Sequence, residues 1–194
     1  MLTDAEIVFI EKGKECGLFL PAERKGNSVF VSCGDGQRFR DIFLHMLTYL
    51  DLVHPVVLNG GPLLMADNAE DPLRQGDVML FNIKKGIVER GFTSIVLASH
   101  WPCAIARDKK LSISDVLEKT VIAARMVREY LGPGYDVFPK LHVDYGVMSR
   151  PSRYWFSRKN LFLGIVNGQV LRRMCERKRS YIINEKHIQQ GGAL

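Results

Sequence analysis

No stretch of this sequence stays apolar long enough to span a bilayer. The longest runs, residues 94–98 and 161–166, fall far short of the roughly 20 residues a spanning helix needs, so a water-soluble protein is expected. Also missing is a basic segment followed by an apolar one at the start. Thr3, Asp4 and Glu6 stand there instead, which does not read as a secretory signal and leaves a cytoplasmic location as the expectation. Cysteine is scarce and irregular: Cys16, Cys33, Cys103 and Cys175 form no framework, and in a reducing compartment any chemistry they carry is thiolate chemistry. There is no internal repeat and no low-complexity tract. No nucleotide-binding glycine loop is present either, since Cys-Gly-Asp-Gly-Gln at residues 33–37 lacks the lysine and the spacing of one.

What remains is ordinary globular material. With 194 residues, 46% hydrophobic and 25% charged, the chain can bury a full core without staples, and a single domain is expected. Within it we separate an N-terminal helical arm (1–26), a core (27–145) and a C-terminal extension (146–194). The net charge of +6 gathers toward the end, in Arg172, Arg173, Arg177, Lys178 and Arg179. Without an aromatic ladder or recognition motif beside it, that cluster reads as a solvated helix face, and neither a nucleic-acid nor a membrane partner is expected.

Along the chain, helical and strand patterns alternate. Thr3 or Asp4 can cap a helix whose apolar positions are Ile7, Val8 and Ile10, ended by Gly17 and Pro21. Val29, Phe30 and Val31 make a short buried strand that stops at Cys33 and the turn formers Gly34, Asp35 and Gly36. Helical spacing follows through Phe39, Ile42, Phe43, Met46, Leu47 and Leu50. Further strands are expected at 55–58, 93–99 and 140–145, with helices near 73–90 and from a Ser114 cap to about Tyr130. An edge strand at 161–166 and a helix at 169–178 complete the pattern. Strands joined by crossovers of this length form a parallel sheet covered on both faces, so the expected fold is α/β, a three-layer sandwich around a mainly parallel sheet of four to five strands.

Ligands of such sheets sit beyond the carboxyl ends of the strands, and Cys33, Asp35, His100 and Cys103 all fall there. Cys103 follows His100 by three residues, with Pro102 restraining the backbone between them. The pair can present an imidazole nitrogen and a thiolate to one point, and Cys33 leaves another strand at the same edge. Two thiolates and an imidazole are a donor set that zinc favours, and three protein ligands leave a fourth position for water or substrate. Ser99 cannot pair with His100 as nucleophile and base, because neighbours on a strand point to opposite faces. His45 and His54 read as surface or satisfied core histidines, Cys16 and Cys175 as unpaired thiols, and Trp101 as packing beside the site.

These motifs, Val-Ser-Cys-Gly-Asp-Gly-Gln at 31–37 and Leu-Ala-Ser-His-Trp-Pro-Cys-Ala at 97–104, resemble those of the β-class carbonic anhydrases. That family carries C-x-D-x-R after its first strand, H-x-x-C after its third and N-x-G after its second, the last present here as Asn59-Gly60-Gly61. The resemblance covers residues 27–145. It implies a zinc cofactor on Cys33, His100 and Cys103, with Asp35 beside the metal; with Gln37 in place of the family's arginine, Asp35 can instead swing in as a fourth ligand. It further implies hydration of carbon dioxide to bicarbonate, with Asp35 accepting a hydrogen bond from the attacking water, and a homodimer or larger assembly in which residues 2–14 lie across a partner.

The sequence departs from the pattern at Gln37, where the family has the arginine that pairs with its aspartate, at Leu58, where an arginine is common, and at Gly36, usually serine. Glutamine brings no charge and holds a carboxylate less firmly than a guanidinium. Arg38 is adjacent, but one step along a helix turns a side chain by about 100°. Low or conditional activity is therefore expected. The alternatives are a non-catalytic zinc protein on the same scaffold, or a hydrolase of a similar small molecule such as carbonyl sulfide or carbon disulfide.

Overall fold

The structure, a computed structural model, describes residues 2–20, 26–48, 50–67, 69, 71–147, 158–166, 168–174 and 176. Its sheet has six strands, in the order β1 (Phe19–Leu20), β6 (Arg158–Val166), β5 (Asp136–Val147), β4 (Ser94–Trp101), β2 (Asn27–Cys33) and β3 (Leu52–Leu58) among the described residues. The four strands β2 (Asn27–Cys33), β3 (Leu52–Leu58), β4 (Ser94–Trp101) and β5 (Asp136–Val147) run parallel, as the alternation predicts. Two antiparallel strands extend one edge, β6 (Arg158–Val166) and the two-residue β1 (Phe19–Leu20), so the sheet is one strand wider than the upper expectation.

Side-chain alternation along β2 and β4 sends residues to two cores. Val29, Val31, Ile95 and Leu97 pack under α3 (Pro62–Ala66), α4 (Gln75–Arg90) and α6 (Ile113–Leu131), through residues that include Met65, Met79, Ile83, Ala123 and Val127. Phe30, Val96 and Ala98 face Ile42 and Met46 of α2 (Gly36–Met46), with Phe39 and Phe43 stacked alongside. The result is an α/β sandwich. Each fully buried large apolar side chain such as that of Leu97 contributes about 1.5–3 kcal/mol relative to exposure.

Helix α1 (Asp4–Glu15) is capped by Thr3, whose hydroxyl accepts from the Glu6 amide while the Glu6 carboxylate accepts from the Thr3 amide. It buries Ile10 in the same cluster as Cys33 and Cys103, and leaves Ile7 and Val8 exposed.

Several boundaries differ from expectation. α6 is capped by Ser112 and not Ser114, because Asp115 three residues on completes a capping box with Ser112, while Ser114 lies buried inside the first turn. β4 runs two residues past 99 because β5 pairs with it as far as Trp101↔Val143, which places His100 within the strand. α3 has no counterpart among the expected helices. Pro62 fixes a helical φ at its first position, and Leu63, Leu64 and Met65 are all buried. Residues 168–174 are helical, with Arg172 and Arg173 exposed, whereas Cys175 and residues 177–179 lie outside the described residues. Among the described residues no helix is long and apolar enough to cross a membrane.

Candidate metal centre

Two strand ends and the start of one helix build the site. Cys33 is the last residue of β2, His100 the penultimate residue of β4, and Cys103 the N-cap of α5 (Ala104–Asp108), reached through the cis Trp101–Pro102 peptide. All three are buried, and one ligand atom from each lies within 4.8 Å of the others. A tetrahedral zinc with its ligands near 2.0–2.3 Å needs donor atoms roughly 3.5–4 Å apart, so at most a small contraction separates this arrangement from coordination geometry.

Backbone groups orient the donors. His100 Nδ1 lies 2.9 Å from the Pro102 carbonyl oxygen, which can only accept, so the proton sits on Nδ1 and the lone pair on Nε2. Nε2 is buried and has no hydrogen-bond partner among the described residues. A buried imidazole nitrogen left without a partner is costly unless something fills the place, and a metal ion would do so. The Gly60 amide donates to Cys33 Sγ at 3.1 Å. Gly60 is held there because the Leu58 carbonyl accepts from both Gly34 and Gly61, tying the end of β3 to the end of β2.

The two cysteine side chains lie within hydrogen-bond reach of each other, with Cys103 as the donor. A hydrogen bond from Cys103 pulls the Cys33 thiol down to about 4 against the cost of burial, helped by His100 and the Gly60 amide. The same bond, together with burial, pushes Cys103 up, while the amides of Ala106 and Ile105 oppose the rise. A dication replacing the proton of that hydrogen bond would hold both as thiolates.

Asp35 is half-buried in the turn between β2 and α2, where its carbonyl accepts from the amides of Arg38 and Phe39. Gln37 lies in the first turn of α2, and its side chain is outside the described residues. Ser99 bonds Thr120 of α6 at 2.7 Å, away from His100 as strand alternation requires. His45 closes α2, and its pKa is lowered by burial and then by the charge of Lys140. His54 packs on Gly86 of α4, Trp101 is half-buried in the cluster around the two cysteines, and Cys16 is exposed and unpaired. The Gly60 amide, the Pro102 carbonyl and Asp67, which binds Lys109 and Lys119, were not singled out as parts of the site. Only the first carried a sequence signal, in the Asn59-Gly60-Gly61 element.

No family model matches the chain, and no curated protein matches it. Among solved structures it is similar to the crystal structure of β-carbonic anhydrase isoform I from the protozoan Trichomonas vaginalis. The identity is 11%, the match covers 84% of this chain and 100% of that one, and the TM-score is 0.39.

Proposed function

We propose that the chain is a zinc-dependent lyase of β-carbonic anhydrase type that interconverts carbon dioxide and bicarbonate. The observation that carries this reading is the buried set of Cys33, His100 and Cys103, with His100 Nε2 unpartnered among the described residues. The donors fit zinc, and three of them leave one position open. When bound there, zinc lowers the pKa of a coordinated water toward neutrality.

The chain's own residues supply the rest. Cys33 and Cys103 contribute two negative charges, the Gly60 amide steadies the first, and the Pro102 carbonyl keeps His100 in the tautomer that offers Nε2. Asp35, two residues beyond a ligand, is assigned to accept a hydrogen bond from the attacking water, and Gln37 to hold Asp35. Because glutamine is a weaker anchor than arginine, activity is low or conditional, with Asp35 able to close the fourth position. The 1–194 chain acts as one domain in a homodimer whose α1 lies across the partner, which would cover the exposed Ile7 and Val8.

Metal analysis of purified protein with a stopped-flow carbon dioxide hydration assay tests the reading. One zinc per chain and measurable hydration are expected, and Cys33→Ser or Cys103→Ser should lose the metal. Full zinc in both variants would remove the basis of the proposal. Gln37 favours one second reading, a non-catalytic zinc protein, which gains if zinc is bound but neither carbon dioxide nor carbonyl sulfide turns over.

A further inference from the structure

We infer that Asp67 is a positioning residue for the metal centre, clamping the far ends of two short helices whose near ends hold the groups around Cys33 and Cys103. The inference rests on the zinc reading for its consequence, though not for its geometry. Asp67 is the C-cap of α3 and is only 5% exposed. Its Oδ2 accepts from Lys109 Nζ at 2.7 Å and its Oδ1 from Lys119 Nζ, so each carboxylate oxygen has an ammonium partner. The three residues come from α3, the C-cap of α5 and the middle of α6.

The placement of these partners gives the trio its role. α3 begins immediately after Gly61, and the adjoining Gly60 amide bonds Cys33 Sγ. α5 has Cys103 itself as its N-cap and Lys109 as its C-cap. Both helices have five residues, about 7.5 Å at 1.5 Å per residue, so the clamp sits one short helix away from the ligands. Helices this short have no cooperative stability of their own and stay where their ends are fastened. Lys119 fastens Asp67 to α6, a 19-residue helix with its own capping box and eight buried residues, while Lys109 transmits that anchorage to α5. Leu63 of α3 and Ala106 of α5 belong to the cluster that contains both cysteines, so movement of either helix repacks the apolar surroundings of the sulfurs.

The bridge differs from a surface pair. The Asp67 side chain is 4% exposed, against 40% for Lys109 and 26% for Lys119. Burial pushes its carboxyl up, and the hydrogen bonds and charges of the two lysines outweigh that, leaving its pKa below the ordinary value. Charged groups held this way are expensive to unpair, so the trio resists opening and holds its geometry.

The test uses the full chain as unmodified protein, Asp67→Asn, Lys109→Met and, as control, the exposed neighbour Lys110→Met. Zinc release to a chromogenic chelator is timed, the visible spectrum of the cobalt-substituted protein is recorded, and the reaction of metal-free Cys103 with a thiol reagent is followed. Asp67→Asn and Lys109→Met are each expected to release zinc about tenfold faster, as loss of an outer support does. They should also alter the cobalt spectrum and expose Cys103 to the reagent, with the double variant no worse than either single one. Lys109→Met removes the most exposed member of the trio, so it remains informative if Asp67→Asn does not fold. If both variants lower the melting temperature but leave release, spectrum and thiol reactivity unchanged, the trio is only a stabilising bridge and the inference is overturned. If the unmodified protein binds neither zinc nor cobalt, the zinc reading fails, and the thiol reaction alone decides whether Asp67 positions Cys103.

Discussion

Gly61 is the residue whose replacement should most directly separate an intact fold from an intact site. Its φ of 51° with ψ of −127° is a conformation that L side chains rarely adopt. A Cβ built on it would stand 2.6 Å from the Cys33 backbone nitrogen and 2.7 Å from the Ser32 carbonyl carbon, both backbone atoms of a central strand that cannot yield. Gly61→Ala therefore combines backbone strain of about 1–3 kcal/mol with an overlap of about 1–3 kcal/mol. The loop can relieve both only by lifting away from β2, which withdraws the Gly60 amide from Cys33 Sγ. A hydrogen bond to a charged acceptor contributes about 1.5–3 kcal/mol, and at 1.4 kcal/mol per factor of ten its loss weakens zinc binding about 10- to 100-fold. Competition against a chelator of known affinity measures this, alongside thermal unfolding of the metal-free form. Gly36→Ala is the control, since its added Cβ meets nothing within 4 Å and its φ is ordinary. Zinc affinity in Gly61→Ala equal to that of Gly36→Ala would refute the reasoning, because the amide would then have no part in holding the sulfur.

Three further outcomes are expected. Lys140 is 6% exposed, and burial holds its ammonium pKa down to about 8, below its ordinary value of 10.5. The unfolded chain binds the extra proton between those values, so burying Lys140 costs about 3 kcal/mol below pH 8, and stability recovers as pH rises toward 10.5. Urea unfolding should show that rise in the unmodified protein and lose it in Lys140→Met; an unchanged pH slope in the variant would contradict it. Gln37→Arg should raise carbon dioxide hydration by placing a charged hydrogen-bond donor at position 37, and a rate unchanged or lowered would direct attention to Arg38. Light scattering at micromolar concentration should give a dimer mass or larger, and a monomer would leave the exposed Ile7 and Val8 of α1 needing another partner.

The parallel core was legible because its strands are short, apolar and cleanly bounded, as Val29 to Val31 before Gly34 illustrates. Strand ends were underestimated where proline intervened, and in each case the sheet explains the tolerance. Pro55 lies on β3, an edge strand bonded only to β2, so its missing amide costs no second ladder. Pro139 lies on β5 just before pairing with β6 begins at Lys140↔Ile165, where the amide on that side has no ladder to join. α3 was not legible because five residues with four consecutive buried apolar side chains have no period to detect.

The same division runs through the site. Cysteine and histidine declare their chemistry wherever they stand, and the carboxyl ends of parallel strands lie along one edge, so strand exits at Cys33 and His100 already implied a meeting point. What turns that meeting into a donor set is a carbonyl at Pro102, an amide at Gly60 and a carboxylate bonded across 42 and 52 residues. Every residue offers a backbone amide or carbonyl, and an aspartate distant in sequence has no local mark of its partner, so these groups acquire meaning only from the fold. A substitution that spares all three ligands can therefore still dismantle the centre. Gly61→Ala and Asp67→Asn approach it from opposite sides, one through the sulfur of Cys33 and the other through that of Cys103. If both weaken metal binding while the ligands stay in place, affinity resides in how the chain holds its donors as much as in which donors it has.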